Sequence, residues 1–133
     1  MAESPRLATI HRYYDACNRA DSQMMQSLFT ADIVHYFGGL PPVRGAAELA
    51  QFIATLQVQR QIHWTVDQVL VAGEEAVIEW TMQWMPPEQS ASELLRGVEW
   101  YVFRDGKIAE LRAYDPIGGG NPELQGYPYG ERG

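Results

Sequence analysis

Residues 94–114, LLRGVEWYVFRDGKIAELRAY, decide the fold. Both sides of Asp105-Gly106 are rich in Val, Ile, Tyr, Phe and Trp, the residues that suit a pleated, half-buried surface. Asp-Gly tolerates the positive φ angles of a type I′ turn, so 94–103 and 107–114 pair as an antiparallel hairpin. Alternation puts Glu99, Tyr101 and Phe103 on one face and Val98, Trp100 and Val102 on the other. A carboxyl that shares a face with aromatic rings either meets solvent or lines an apolar space. In the second strand Leu111, Ala113 and Asp115 alternate with Glu110, Arg112 and Tyr114, a face for the surface or an interface.

Upstream, 62–71 and 76–84 form two more strands joined at Ala72-Gly73-Glu74-Glu75. Trp80, Met82 and Trp84 make one apolar face, and Glu79, Thr81 and Gln83 make a polar face fit for solvent or a partner subunit. Earlier still the period becomes helical. Gly45 begins a helix with the stripe Leu49, Phe52, Ile53, Leu56. Before it, 32–37 reads as a short strand with Ile33, His35 and Phe37 on one face. Asp21 caps a helix carrying Met24, Met25, Leu28 and Phe29, and Ser4-Pro5 starts a first helix with Leu7, Ile10, Tyr14 and Cys17 in line. Two helices, a strand, a third helix and an antiparallel meander make an α+β domain, with helices on one face of a curved sheet.

The 133 residues suit one domain, and 46% apolar with 20% charged residues is ordinary for a globular protein. A net charge of −7 without a basic cluster excludes phosphate-backbone binding, so no nucleic-acid partner is expected. One cysteine, Cys17, excludes an internal disulfide and suits a reducing compartment. MAESPR lacks the regions of a signal peptide, and no run approaches the roughly 18 apolar residues of a membrane span. The expectation is a soluble cytoplasmic protein with no membrane partner. His11, His35 and His63 fall on separate elements, so no metal site is expected. No GxSxG, P-loop or dinucleotide motif occurs, and Gly118-Gly119-Gly120 leads into Asn-Pro rather than a helix. Residues 116–133 are a Gly/Pro-rich tail, either extended or a flap over a cavity mouth, with Tyr127 and Tyr129 able to pin it.

Three stretches resemble the nuclear transport factor 2-like superfamily, with its ketosteroid isomerases and SnoaL-like polyketide cyclases. They are Tyr13-Tyr14…Asn18-Arg19-Ala20-Asp21…Leu28-Phe29-Thr30-Ala31-Asp32, then Arg44-Gly45…Leu49…Phe52, then Val98–Phe103 with Asp105-Gly106-Lys107-Ile108 and Leu111–Pro116. The resemblance implies a single domain over 1–115: a cone-shaped roll of three N-terminal helices on a curved, mainly antiparallel sheet that encloses an apolar pocket. It implies a small apolar ligand, a homodimer through the exposed sheet face and acid–base chemistry that uses no cofactor. Under it, Glu99 lands where ketosteroid isomerases keep the carboxylic acid of their oxyanion hole, and Tyr13 aligns with that acid's tyrosine partner. Helical periodicity favours Tyr14 as the inward residue, and a wide apolar face admits both. The family's base aspartate is replaced by Phe37, which argues against steroid isomerisation. His35, on the same strand face, is the nearest group able to accept a proton. SnoaL-like cyclases place an acid near Asp115, one residue out of step, but Asp115-Pro116 is equally a turn pair.

The expected catalytic set is therefore His35, Glu99, Tyr13 and Asp115, in a pocket lined by Tyr14, Phe37, Phe52, Trp80, Trp84 and Tyr101. Two readings stand open. One is a cofactor-free isomerase, cyclase or dehydratase acting on a small apolar carbonyl or hydroxylated ring compound. In it His35 takes the proton while Glu99 and a tyrosine steady the oxygen. The other is a non-catalytic ligand-binding or dimeric assembly module of the same fold.

Overall fold

A computed structural model describes residues 4–37 and 40–115. Among these, the elements in chain order are α1 (Pro5–Asn18), α2 (Ser22–Leu28), β1 (Phe29–Tyr36), β2 (Val43–Arg44), α3 (Ala46–Arg60), β3 (His63–Ala72), β4 (Glu75–Trp84), β5 (Glu93–Arg104) and β6 (Lys107–Tyr114). The strands form one sheet in the order β2-β1-β6-β5-β4-β3, antiparallel throughout except for the parallel β1–β6 pair. The tail 116–133, with its glycine run and two tyrosines, lies outside the described residues.

The β5–β6 hairpin forms on the expected residues. Asp105 and Gly106 both take positive φ, 54° and 79°, as a type I′ turn requires. Glu99, Tyr101 and Phe103 all point inward and are buried, and they share the core with Ile108 and Leu111. The helices cover that face. Ile10, Tyr13, Tyr14 and Cys17 of α1, Met25 and Leu28 of α2, and Leu49 and Ile53 of α3 belong to the same apolar cluster. In α3 the buried stripe is completed by Ala50 and Ala54, whose small side chains let the helix approach the layer beneath it closely. Phe52 turns to the outer side instead.

Local signals account for most boundaries. Asp21 accepts a hydrogen bond from the Met24 N–H at 3.0 Å and so caps α2. Ser4 occupies the N-cap of α1, but its hydroxyl makes no capping bond; Pro5 in the first turn sets that start. Two features lie beyond local periodicity. The two-residue β2, directly after Pro41-Pro42, is too short to show alternation. The parallel β1–β6 pairing joins residues some 75 positions apart, such as His35 with Leu111. Thr81 keeps to the polar, outward face of β4 but does not meet solvent there. It is buried, and its hydroxyl donates to Asp67 Oδ2 at 2.6 Å, where a register shift in β3 between Val66 and Gln68 turns Asp67 toward it.

Asn18 ties the end of α1 to the start of the edge strand β3. Its Nδ2 donates to the Trp64 carbonyl at 2.9 Å, and its Oδ1 accepts from the Trp64 N–H at 2.7 Å. One amide thus completes both backbone groups of a residue with no neighbouring strand on that side. Asn18→Ala is expected to destabilise the fold by about 1–3 kcal/mol, because it strands both partners. Urea unfolding checks this, and an unchanged midpoint would show that water replaces the clamp at no cost.

Candidate active site

Between helices and sheet lies a cavity of about 640 Å³. Its inner end holds buried Tyr14, His35 and Glu99, while exposed Leu40, Pro87 and Gln89 stand at the opening. Trp64 of β3 and Trp80, Met82 and Trp84 of β4 form a largely aromatic wall, and Ala113 of β6 and Asp115 just past its end also line the cavity.

Glu99 is the central group. Strand alternation aims it inward, and it is only 5% exposed. The Tyr14 hydroxyl donates to its Oε1 at 3.1 Å, and His35 Nε2 lies 3.8 Å from the same oxygen. The Trp80 indole and the Tyr101 hydroxyl are close enough to favour its anion, although neither completes a hydrogen bond with it. Burial outweighs these donors and pushes the carboxyl up to about 7, with the charge of Asp115 adding to the rise. Burial acts oppositely on His35 and takes the imidazole down to about 3, so it is neutral at physiological pH. The ring stacks on Phe37 with centroids 3.8 Å apart, and Nδ1 has no hydrogen-bond partner. Asp115, half-buried, is also raised by desolvation.

The expected site residues separate into two groups, those that line the cavity and those that do not. His35, Glu99, Tyr13 and Asp115 all line the cavity, as do Tyr14, Phe37, Trp80 and Trp84. Of the two tyrosines, Tyr14 reaches Glu99. Tyr13 packs edge-on against Tyr14 at 5.0 Å and against Tyr101 at 6.2 Å. Tyr101 and Phe52 do not line the cavity. Tyr101 is fully buried behind the α1 tyrosines. Phe52 sits in an outer groove between α3 and β2, and its ring braces Phe37 from behind at 5.2 Å. Sequence reasoning missed Trp64, which shares its alternating strand face with Val66, and Glu93, which precedes the strand as read.

Among the described residues no group of three or more His, Cys, Asp or Glu side chains is arranged to hold a metal ion. No helix there is long and apolar enough to cross a membrane.

The fold and its cavity agree with the comparisons. The profile of the SnoaL-like domain matches residues 10–111. A protein of unknown function with a cystatin-like fold from Methylobium petroleophilum PM1 is 31% identical, covers 95% of this chain and 91% of its own, and superposes with a TM-score of 0.75. A candidate SnoaL-like polyketide cyclase from Jannaschia sp. CCS1 is 19% identical over 88% of this chain and 92% of its own, TM-score 0.74. A candidate ketosteroid isomerase from Kribbella flavida is 18% identical over 89% and 82%, TM-score 0.72. These last two share the fold at an identity too low to carry function. No curated protein matches the sequence significantly. With the profile spanning most of the chain and the cone-shaped α+β roll in place beneath it, this chain belongs to the SnoaL-like domain family.

Proposed function

We propose that the chain is a cofactor-free acid–base enzyme in which Glu99 moves the proton. The supporting observation is a buried carboxyl, poised near neutral pH, at the inner end of an apolar cavity. In this reading the proton-accepting role passes from His35 to Glu99. An imidazole held at about 3 is a weak base, whereas a carboxyl at about 7 can both take and return a proton. Tyr14 occupies Oε1 and leaves Oε2 for the substrate. Asp115 supplies a second carboxyl. Ala113 pairs with Glu99 across the ladder, and Asp115 follows two residues later, a diagonal of about 7–8 Å between backbones. Two carboxyls whose surroundings differ can divide base and acid roles. Isomerisation, cyclisation and dehydration of a small carbonyl or hydroxylated ring compound can each use such a pair.

The test is exchange of the α-protons of 2-tetralone in D₂O, followed by NMR. The expected result is protein-accelerated exchange that rises with pH about a midpoint near 7, since only the carboxylate accepts a proton. Glu99→Gln should lose roughly 100-fold or more, and His35→Gln less than about tenfold. Exchange that survives Glu99→Gln unchanged would remove Glu99 from the role. The binding-module reading draws on one observation, the stacking of Phe37 on a neutral His35, which packs the imidazole as wall rather than as a reagent.

A further inference from the structure

We propose that the cavity selects an organic cation, an apolar molecule carrying a protonated or quaternary amine. The argument begins with the charge of the walls. Glu93, Glu99 and Asp115 line the cavity, and among the described lining residues there is no Lys or Arg. Three of the chain's four tryptophans, Trp64, Trp80 and Trp84, face the same space. The fourth, Trp100, lies on the opposite sheet face, where the Arg112 guanidinium covers its ring at 5.8 Å. The outer indole therefore has its cation from the protein, whereas the inner indoles and carboxyls face a space that no described lysine or arginine enters. Aromatic faces with adjacent carboxylates attract ammonium groups through the ring quadrupole and direct Coulomb attraction.

A second feature of the inner end points the same way. His35 is 3% exposed, and its Nδ1 has no partner. The imidazole is neutral, so it brings no positive charge to balance Glu99. A neutral ligand would leave the Glu99 charge uncompensated whenever it ionises, while a cation converts that cost into an ion pair. The groups facing Glu99 are Tyr13, Tyr14 and Cys17 from α1, His35 from β1, Tyr101 on its own strand and Asp115 beyond β6. The tyrosines and the thiol are pushed up by burial and stay neutral, and the imidazole is neutral too. A bound cation thus meets carboxylates alone. Since Glu99 ionises as pH rises, affinity for the cation rises with it, and binding near pH 7 releases protons.

This inference rests on the cavity being a ligand site, as the acid–base reading does, but not on proton transfer by Glu99. The test titrates the full chain with benzyltrimethylammonium and with its uncharged carbon isostere, neopentylbenzene, by tryptophan fluorescence and calorimetry. At pH 8 the cation should bind at least about tenfold more tightly than the hydrocarbon. The preference should shrink at pH 5.5, and binding at pH 7 should release protons. The double variant Glu99→Gln/Asp115→Asn should bring the two affinities to near equality. If it fails to fold, Trp84→Leu should cut the preference about threefold or more while leaving hydrocarbon affinity within about twofold. Equal affinities at pH 8, a preference untouched by either variant, or no binding of the cation would each overturn the proposal. Cation preference without tetralone exchange would sink proton transfer alone, and exchange without cation preference would sink this inference alone.

Discussion

Glu99→Gln should make the protein more stable than the parent above pH 7 and leave it nearly unchanged below pH 5. Burial raises the carboxyl from its ordinary 4.5 to about 7, so between those values the folded state holds a proton that the unfolded chain has lost. Stability then falls as pH rises through that window, and above it the full penalty of a buried charge is present. The shift corresponds to about 3 kcal/mol, or roughly 10 °C in melting temperature for a chain of this size. Glutamine keeps the shape and cannot ionise, so the descending limb should vanish. His35 works in the opposite sense. Its ring falls from 6.5 to about 3, the unfolded chain binds the extra proton between those values, and stability is gained as pH rises through them. Between pH 4.5 and 6.5 the two slopes oppose one another, so the parent should show a flat-topped profile. His35→Gln should remove the rise on the acid side and uncover the Glu99 fall between pH 4.5 and 6.5. The readout is the difference in unfolding free energy between variant and parent at each pH, which cancels the other titrating groups. Parallel curves for Glu99→Gln and the parent would mean that the carboxyl is solvated.

That sequence pattern located Glu99 and His35 at all follows from the period of two. Along β5 and over Ile33–His35 of β1 the alternation decides the inward side chains, and apolar neighbours fix it: Tyr101 and Phe103 for Glu99, Ile33 for His35. The helix is less decisive. At 100° per residue Tyr13 and Tyr14 both fall within the broad face of α1, and only the tertiary position of Glu99 distinguishes the one that bonds it. Phe52 misled because α3 buries Ala50 and Ala54, which a search for large apolar residues passes over. The fall of the His35 imidazole under burial, which takes it out of the base role, was not legible either. His35 and Glu99 are neighbours only through the chain of pairings β1–β6–β5, so neither their 3.8 Å approach nor their shared dehydration leaves a trace in spacing.

Gly97→Ala probes the aromatic wall itself. A Cβ at this position would lie 2.6 Å from both Cη2 and Cζ2 of Trp80, closer than any relaxed packing allows. Gly97 pairs with Trp80 across the β4–β5 ladder, and the absent side chain lets the indole lie flat over β5. The ring is 4% exposed and packed on one side by the core, so its way out leads into the cavity. The methyl should therefore cost about 1–3 kcal/mol in overpacking. It should also swing the Trp80 benzo edge into the ligand space and draw its N–H away from Glu99. Loss of that donor disfavours the anion, so the midpoint of any Glu99-dependent rate or binding curve should move above 7. Urea unfolding reads the first effect and a ¹³C titration of the Glu99 carboxyl the second. Reduced stability with an unmoved titration would place the relief of strain in the backbone of β5 rather than in the indole. The ligand space would then be untouched by the substitution. Both effects together would show that one glycine sets the position of the ring and, through it, the charge at the inner end of the cavity.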